Sequence, residues 1–447
     1  MKLSTKPLQT NLDALSLFEQ LVSQHENCFL LETLEDKDQP QTSHQSYIGI
    51  APKRVFTAVQ SKLEIDGVIA KTDNPFFELR NHLKIDNNLD QGYIGGLVGY
   101  FSHEGIHYLE PSLRFSYNRL FPDFQFGEYT DGVVYLPGEP INYFYQEEDR
   151  SAQYLENNSQ KTSNLSIAFE KADKTEAEHA EIVEKARDDI QNGRVFQVVL
   201  ANKYSYKYSG DLINLYRELR NINPSPFMFF MKFGDYITLG ASPELLAHTK
   251  PNGDVFLEAL AGTIRRGVNE LEDERLATFL LADEKEVAEH SMLVDLARND
   301  VGRISKIGSV SIENLMYVKR LSHVQHICSI VKGKLMTGKD MFDSLAASFP
   351  AGTLSGAPKI EAIKMIAELE GVERGPYGGT IGYFSYNGDS MHAVNIRSIS
   401  AIKNQLFLQS GSGIVFDSKP QREYEEINEK KEAMDRAISQ FSVGEER

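Results

Sequence analysis

TIGYFSYNGDSMHAVNIRSISAIKNQLFLQSG, which spans Thr380–Gly411, is the stretch that decides the fold class. Its β-branched and aromatic residues predict three strands, near Thr380–Tyr386, Met391–Ala401 and Gln405–Gly411. Short turns separate the predicted strands, and no helical pattern lies between them. Strands that follow one another in this way lack the βαβ rhythm of a parallel sheet, so the stretch predicts antiparallel pairing.

Helices and strands alternate irregularly along the rest of the chain. An amphipathic pattern predicts a helix over Thr175–Asn192, and a strand follows over Val195–Tyr204. Further helices are predicted over Glu284–Arg298 and Gln421–Gln440. Because these elements are interspersed without a regular order, we expect an α+β fold with large, mainly antiparallel sheets.

A polar segment divides the sequence into two regions. Gln153–Lys174 reads QYLENNSQKTSNLSIAFEKADK, is rich in Asn and Ser, and has almost no aliphatic clusters. Such a composition is typical of a linker. We therefore predict an N-terminal region over residues 1–152, a linker over 153–174, a C-terminal region over 175–440 and a frayed tail over 441–447.

The composition of the 447-residue chain disfavours several classes of protein. The formal net charge of -17 and the lack of a Lys/Arg run argue against binding to nucleic acid, which needs a basic surface. The best apolar stretch, Gly92–Phe101, is too short to cross a membrane, and Met1–Thr10 shows no secretory signal. Cys28 and Cys328 form neither a disulfide framework nor a metal-spaced cluster, so a reducing, cytoplasmic location fits best.

Two pairs of glutamates have a spacing that suits a divalent cation. Glu286 and Glu289, and again Glu423 and Glu426, are three residues apart, which puts both side chains of a pair on one helix face. Two converging pairs would supply the oxygen ligands that Mg²⁺ prefers. The alternative is a solvated acidic face, which an arbitrary Glu-x-x-Glu pattern usually forms.

Small residues lead into one predicted helix and could bind an anion. In Ala351–Lys359, AGTLSGAPK, free backbone N–H groups and the positive end of the helix dipole would meet a negative group. A plain tight turn is an equally good interpretation, and the Gly-Lys-[Ser/Thr] ending of a nucleotide-binding loop is missing. The turn predicted over Gly411–Gly413 leaves the same two interpretations open.

Three further parts of the sequence contain candidates for chemistry. Glu244 follows a predicted strand in a turn and becomes a candidate acid if its surroundings raise its pKa. Arg397, inside the predicted strand AVNIRSIS, would be costly to bury without an anion. His323 and His326 point to opposite faces of a predicted strand, so they form no zinc pair, although one of them could be functional.

Motifs across Gly193–Ala437 resemble, in sequence and in order, those of the chorismate-utilising enzymes. They are VFQVVL (Val195–Leu200), GASPE (Gly240–Glu244), AGTIRRG (Ala261–Gly267), DEKEVAEHSMLVDLARND (Asp283–Asp300), SHVQH (Ser322–His326), FPAGTLSGAPK (Phe349–Lys359), RGPYGG (Arg374–Gly379), NIRS (Asn395–Ser398), GSGIVFDS (Gly411–Ser418) and a final E-x-x-E-x-x-x-K. The resemblance implies large, mainly antiparallel sheets in a sandwich-like arrangement flanked by helices.

The resemblance also implies a site for chorismate. Mg²⁺ would be bound by Glu289 and Glu426, with Glu286 and Glu423 in support, and would hold the ring carboxylate. Glu244 would be the general acid that protonates the departing 4-hydroxyl. The implied catalytic set also contains His326, for the later loss of pyruvate, and Gln197, Ala261 and Thr263. The residues implied to bind the rest of the substrate are Thr353, Tyr377, Arg397, Gly411, Gly413 and Lys430.

Within the family, the chain resembles the large subunits of anthranilate synthases. Water-adding members carry Lys at the position of Gln197, and aminodeoxychorismate synthases often carry a nucleophilic Lys at the position of Ala261. Leu30–Thr33 and Asn223–Phe230 resemble the two motifs of a tryptophan feedback pocket, with Thr33 in place of the usual Ser. The implied pocket residues are Glu32, Thr33, Pro224, Ser225, Pro226, Phe227 and Met228.

The implied reaction converts chorismate and ammonia to anthranilate and pyruvate. Neither Cys28 nor Cys328 lies in the sequence context of a glutaminase nucleophile. Ammonia is therefore expected from a separate glutamine amidotransferase subunit, often in a heterotetramer. An aminodeoxychorismate synthase large subunit and a non-catalytic paralogue that binds chorismate-like acids are the alternatives.

Overall fold

The computed structural model describes residues 3–34, 45–86, 92–136, 138–156, 163–321 and 324–442. Within these ranges the chain forms two large antiparallel β-sheets and nine α-helices, which confirms the predicted α+β class. The strands are, in chain order, β1 Ser4–Pro7, β2 Asn27–Glu32, β3 Ser46–Ile50, β4 Arg54–Val59, β5 Lys62–Ile65, β6 Val68–Ala70, β7 Gly96–Phe101, β8 Phe124–Tyr129, β9 Asp131–Tyr135, β10 Asn142–Tyr145, β11 Ser166–Ala172, β12 Gln197–Ser209, β13 Phe227–Phe233, β14 Tyr236–Ser242, β15 Leu245–Thr249, β16 Asp254–Arg265, β17 Ser311–Arg320, β18 Val324–Lys334, β19 Gly356–Ala357, β20 Thr380–Ser385, β21 Ser390–Val394, β22 Ser398–Ile402 and β23 Gln405–Ile414. The α-helices are α1 Ala14–Val22, α2 Pro75–His82, α3 Glu176–Gln191, α4 Ile213–Ile222, α5 Glu270–Ala282, α6 Glu284–Gly302, α7 Met341–Ser348, α8 Lys359–Glu370 and α9 Pro420–Ser439.

Each sheet is built from strands on both sides of the predicted linker. Sheet I has twelve strands, in the order β1-β10-β9-β3-β2-β13-β14-β22-β23-β12-β11, with β19 paired to β12. Sheet II has eleven strands, in the order β17-β18-β16-β15-β21-β20-β7-β8-β4-β5-β6. Part of the predicted linker, Ser166–Ala172, forms β11 at one end of sheet I. The division of the chain into two regions stays a prediction about the sequence.

Two of the places where the chain passes between the sheets are neighbours in space. The link from β14 to β15 leads from sheet I to sheet II, and the link from β21 to β22 leads back. The Val394 N–H donates to the Glu244 carbonyl at 3.0 Å, and the Ala241 N–H donates to the Arg397 carbonyl at 3.0 Å. These two backbone hydrogen bonds hold the crossings side by side.

The prediction of a single strand over Met391–Ala401 was wrong. β21 ends at Val394, β22 begins at Ser398, and the two strands lie in different sheets. Arg397 has a left-handed backbone conformation with φ 52°, which few residues other than glycine adopt and which interrupts the extended chain. Arg397 therefore lies at a crossing between sheets and not inside a strand.

Capping residues mark the starts of α3 and α6. Thr175 and Glu178 form a capping box at the start of α3. The Asp283 carboxylate accepts from the Lys285 and Glu286 N–H groups at the start of α6. α6 packs on β16 and β18 of sheet II, whereas α9 packs on β23 of sheet I. The two predicted glutamate pairs thus stand on different sheets.

Aromatic side chains fill much of the interior. Phe384 of β20 stacks on Phe342 of α7 with ring centroids 4.2 Å apart, and it also contacts Phe126. Cys28 and Cys328 are both free and buried, as the lack of a disulfide pattern predicts. Among the described residues, no helix has the length and apolar character that crossing a bilayer needs.

Candidate active site

Glu244 is a buried carboxyl group at the crossing from sheet I to sheet II. Its Oε1 accepts a hydrogen bond from the Thr353 hydroxyl at 2.7 Å. Burial raises the pKa of Glu244 to about 8, against the lowering effect of the Thr353 bond, while Glu258 and Lys319 have smaller and opposite effects. A carboxyl group with this pKa holds its proton at neutral pH and can donate it.

His326 is a buried histidine on β18, and its Nδ1 atom has hydrogen-bond partners. Its Nδ1 lies 3.0 Å from the Gly262 carbonyl oxygen and 3.1 Å from Thr263 Oγ1. A carbonyl oxygen only accepts, so Nδ1 carries the proton and Nε2 is left as an acceptor. Burial lowers the pKa of His326 to about 4, so the ring is neutral at neutral pH.

A β-bulge at Gly262 sets the partner of His326. Thr263 of β16 opposes His326 of β18, whereas Ala261 opposes the next residue of β18, so β16 carries one extra residue. Gly262 has φ +68°, which suits glycine. A Cβ at Gly262 would lie 3.1 Å from Glu286 Oε2, so the bulge also allows β16 to approach α6.

The four predicted glutamates affect one another across α6 and α9. Burial raises the pKa of Glu286, the charge of Glu289 raises it further, and Glu426 on the other helix adds a smaller effect. Burial also raises the pKa of Glu423, and the charge of Glu426 contributes. The structure therefore brings both predicted pairs within electrostatic range of each other.

Two polar side chains contact these carboxylates. Gln197, the first residue of β12, donates from Nε2 to Glu289 Oε1 at 2.9 Å. Lys430 pairs with Glu426 at 2.6 Å and also donates to the Gly411 carbonyl at 3.1 Å. Gln197 thus lies beside the carboxylates, where its amide can donate or accept a hydrogen bond but cannot act as a base.

The turn predicted over Gly411–Gly413 was wrong, because β23 continues to Ile414 in antiparallel pairing with β12. Both glycines lie within this strand. A Cβ at Gly413 would lie 2.7 Å from Gln197 Nε2, which is closer than side chains approach in proteins. Glycine at this position therefore leaves room for the Gln197 amide beside Glu289.

The carboxylates are of the ligand type that a hard divalent cation prefers. Glu423 Oε2 is buried without a hydrogen-bond partner. Within the part of the chain that the structure describes, no three His, Cys, Asp or Glu side chains are close enough to hold a metal by themselves. Mg²⁺ commonly takes one or two carboxylates together with water and substrate oxygens. The arrangement suits that mode of binding and does not suit a closed structural metal site.

Arg397 is a cation without a protein counter-ion. Its guanidinium makes no hydrogen bond or ion pair to any residue in the described ranges. Burial lowers the pKa of Arg397, and the more distant Tyr377 and Glu426 only partly oppose this effect. A cation in such surroundings is costly unless an anion joins it, so Arg397 is a candidate anion-binding residue.

A buried network that the sequence did not indicate anchors the loop of Tyr377. Arg374 is fully buried, forms an ion pair with Glu370 and donates to the Leu354 carbonyl at 2.6 Å. Glu104, from the N-terminal part of the chain, accepts from the Arg374 N–H at 2.8 Å. Arg374 was visible in the motif RGPYGG, but one sequence does not distinguish a buried ion pair from a surface pair.

Several of the residues predicted for chorismate lie within electrostatic range of one another. Lys430 lowers the pKa of Glu244, Glu426 raises that of Arg397, and Arg397 lowers that of His326. These effects place side chains of α9, of β18 and of both crossings near one another.

Besides the cavity that Glu244 and Thr353 line, a second cavity, of about 470 Å³ with its opening, lies between the two sheets. Its walls are formed by Leu31, Glu32, Thr33, Gln45, Tyr47, Phe227, Met228, Ile381, Gly382, Tyr383, Met391 and Ala393. Four of the residues predicted for a tryptophan pocket are in this set. Pro224, Ser225 and Pro226 lie beside the cavity, where the Ser225 carbonyl accepts from the Leu34 N–H at 3.2 Å.

Glu32 is the charged residue of this second cavity. It accepts a hydrogen bond from the Tyr216 hydroxyl at 2.7 Å and pairs with Arg220 at 3.1 Å, both on α4. The Glu32 carboxylate is therefore held in place and partly neutralised by protein groups.

Comparison with known proteins decides the family. The family described as chorismate binding enzyme matches residues 7–436. The chain belongs to the chorismate-binding enzymes. Anthranilate synthase component 1 of Methanothermobacter marburgensis is 41% identical to it over 428 residues, which cover 94% of this chain and 91% of that protein. Anthranilate synthase component 1 of Leptospira biflexa is 40% identical over 432 residues, with 94% and 92% covered.

A solved structure of the same family has the same fold. The crystal structure of anthranilate synthase component I from Streptococcus pneumoniae superposes with a TM-score of 0.80 at 33% identity, covering 96% of this chain and 98% of that chain. The predicted resemblance of this chorismate-binding enzyme to anthranilate synthase component I, and the predicted fold, are thereby confirmed. Of the residues discussed, His323 lies outside the described ranges, as do residues 443–447 of the predicted tail and 157–162 of the predicted linker.

Proposed function

We propose that the chain is the large subunit of an anthranilate synthase and converts chorismate and ammonia to anthranilate, pyruvate and water. The observation that carries the proposal is the buried Glu244 carboxyl, whose pKa burial raises to about 8, at the crossing beside that of the unpaired cation Arg397. Relatives named anthranilate synthase component 1 support the assignment.

Substrate binding would use the charges of Arg397 and of the glutamates on α6 and α9. Chorismate carries two carboxylates, and Arg397 with Tyr377 would bind the one on the enolpyruvyl group. Thr353 and Lys430 would line the same pocket, with Gly411 and Gly413 supplying backbone. Mg²⁺, held by Glu289 and Glu426 with Glu286 and Glu423 in support, would supply positive charge for the ring carboxylate.

The first stage forms a C–N bond at C2 and breaks the C–O bond at C4. Glu244 donates its proton to the departing 4-hydroxyl, which leaves as water. Ammonia brings its own lone pair, so no base is needed to create the nucleophile. Gln197 is consistent with this, because an amide cannot activate water, and Ala261 offers no nucleophile of its own.

The second stage removes the enolpyruvyl group and creates the aromatic ring. The proton at C2 is lost, and the bond between the neighbouring ring carbon and the ether oxygen breaks. The oxygen leaves with the enolpyruvyl group, which takes up a proton at its methylene carbon to become pyruvate. His326 is neutral and has Nε2 free to accept, so it would assist this proton transfer. Thr263 would help to keep the ring in orientation.

The test is mass-spectrometric identification of the products formed from chorismate, Mg²⁺ and an ammonium salt at mildly alkaline pH. Anthranilate with an equal amount of pyruvate is expected. A 4-amino product without pyruvate would instead identify an aminodeoxychorismate synthase, and isochorismate would mean that water is the nucleophile. No turnover would favour a non-catalytic paralogue.

A separate glutamine amidotransferase subunit is proposed as the source of ammonia, in a heterotetramer. The name component 1 of the relatives supports a second component. Both cysteines of this chain are buried, and burial raises the pKa of Cys28 to about 12, so neither thiol is a ready nucleophile. The purified chain is therefore expected to use ammonium salts but not glutamine; release of ammonia from glutamine would contradict this.

A further inference from the structure

A buried ion pair contacts the backbone on both sides of Glu244. Lys319 Nζ, on β17, lies 3.4 Å from the Pro243 carbonyl oxygen. The Leu245 N–H donates to Glu258 Oε2, on β16, at 3.3 Å. Pro243 and Leu245 are the neighbours of Glu244 in the chain, so the pair contacts the crossing immediately before and after the acid.

The pair is compact and surrounded by protein. Lys319 Nζ and Glu258 Oε1 are 2.6 Å apart, and their side chains are only 11% and 7% exposed. The Cys328 thiol of β18 donates to the same Glu258 oxygen at 2.9 Å, and the Tyr317 hydroxyl lies 3.1 Å from the Cys328 sulfur. Three adjacent strands of sheet II therefore hold one carboxylate against the crossing.

Stability is a weak reason to bury such a pair, because the cost of removing both charges from water offsets much of their attraction. Its position next to Glu244 is more informative. The charge of Glu258 raises the pKa of Glu244, and the charge of Lys319 lowers it. The two charges of the pair therefore act on the Glu244 carboxyl in opposite directions.

We propose that Glu258 and Lys319 form a positioning pair, which fixes the turn that carries the general acid and balances the charge beside it. The pair acts through Glu244 and does not contact substrate. The proposal rests on the proposed function, in which Glu244 donates a proton.

Other groups also face Glu244 and must stay constant in any test. Lys430 of α9 lowers its pKa, and the Thr353 hydroxyl donates to it. Asp300 of α6 lines the cavity next to Glu244, but Lys359 pairs with it at 2.9 Å. Variants of the positioning pair leave all of these groups in place, so a shift in the ionisation of Glu244 reports the pair.

Single variants are expected to move the basic limb of the kcat–pH profile in opposite directions. Glu258→Gln leaves Lys319 as an unpaired cation, which favours ionised Glu244 and moves the limb down by about one pH unit. Lys319→Met leaves Glu258 as a second carboxylate, which favours protonated Glu244 and moves the limb up by about one pH unit. Both variants lower kcat on the order of ten-fold, whereas KM for chorismate stays within about three-fold, since neither residue touches substrate.

The double variant and a control complete the experiment. With Glu258→Gln and Lys319→Met together, the limb returns to within about 0.3 pH unit of the wild-type position. Lys334→Met is the matched control, because Lys334 of β18 pairs with Asp254 at 2.9 Å, four residues before Glu258 on β16. The control is expected to leave both kcat and the limb unchanged. Thermal unfolding checks each fold. If one single variant does not fold, the displacement of the limb in the other single variant, measured against the double variant, carries the test, because the double variant leaves no buried charge unpaired.

Limbs that shift in the same direction, or that stay in place while kcat falls, would show that the pair only supports the fold and would overturn the proposal. A limb that remains displaced in the double variant would do so too. Failure of the proposed function gives a different result: the wild-type chain itself then forms no anthranilate, and both proposals fall together.

Discussion

At the residue scale, side chains near the two crossings have the ionisation states that the proposed reaction needs before any substrate arrives. Burial keeps Glu244 protonated and His326 neutral, while Arg397 remains a cation without a partner. An acid, a proton acceptor and an anion-binding group are therefore ready together. Such preorganisation reduces the rearrangement that the reaction itself must drive.

The pH dependence of kcat is the first consequence. Glu244 acts in its protonated form, so activity is expected below its pKa and is lost as the pH rises through about 8. The measurement is kcat with saturating chorismate and a fixed concentration of free NH₃ at each pH. In Glu244→Gln the basic limb should disappear together with most of the activity; an unchanged limb would show that another group is the acid.

Removal of a single carboxylate from α9 tests the proposed Mg²⁺ site. Glu426→Gln is expected to lower Mg²⁺-dependent turnover on the order of 100-fold, because a neutral amide is a poor ligand for a hard cation. Glu425→Gln is the matched control, since Glu425 is the preceding residue and its side chain is 50% exposed. Measurement of kcat and of the Mg²⁺ concentration for half activity distinguishes the two; equal effects would remove the metal assignment.

Residues with an unusual spacing or a recognisable motif could be predicted from the sequence, and residues defined only by their partners could not. Glu244, Glu289 and Glu426 fall into the first group. Glu258 and Lys319 fall into the second, because each occupies a strand position that alternation assigns equally well to solvent. Their burial depends on strands that are about sixty residues apart in the chain, which no local pattern records.

At the scale of elements, two local irregularities shape the site. The bulge at Gly262 pairs Thr263 with His326, and the left-handed Arg397 ends one strand and starts the next in another sheet. The starts of helices were predictable, because caps such as Asp283 are local signals. The switch from one sheet to the other at Arg397 could not be predicted, because the residues on both sides of Arg397 have the pattern of one continuous strand.

The bulge can be tested by substitution. Gly262→Ala places a Cβ at φ +68° beside Glu286, so it is expected to cost about 1 kcal/mol of stability and to displace Thr263 from His326. Gly253→Ala is the matched control, since Gly253 has φ +85° and only the Leu335 side chain within 4 Å. Thermal melting should fall in both variants, whereas kcat should fall only in Gly262→Ala. Equal kcat values would show that the bulge serves the fold alone.

At the scale of the whole molecule, the cavity between the sheets offers a place for regulation. Its wall includes Phe227 of sheet I and Ala393 of sheet II, so a ligand there would contact both sheets at once. Ala393 immediately precedes Val394, whose N–H is bonded to the Glu244 carbonyl. Movement of one sheet against the other would therefore reach Glu244, the proposed acid.

Tryptophan inhibition follows from this arrangement as a prediction. Saturating tryptophan is expected to inhibit the wild-type chain. Met391→Trp fills part of the cavity, and the resulting overpacking should weaken inhibition by about ten-fold. The KM for chorismate should change little, and initial rates across a tryptophan series measure both. Undiminished activity at saturating tryptophan in the wild type would exclude this form of feedback.

The paired crossings have a consequence for how enzymes on this scaffold can diversify. Glu244 and Arg397 are tied together through the backbone bonds from Val394 and Ala241, so neither can be relocated without the other. Gln197 and the Ala261 position lie on β12 and β16, outside these links. With the proposed roles, point substitutions there would exchange the attacking group while the leaving-group machinery is inherited intact, which would make new reactions on the same substrate accessible in single evolutionary steps.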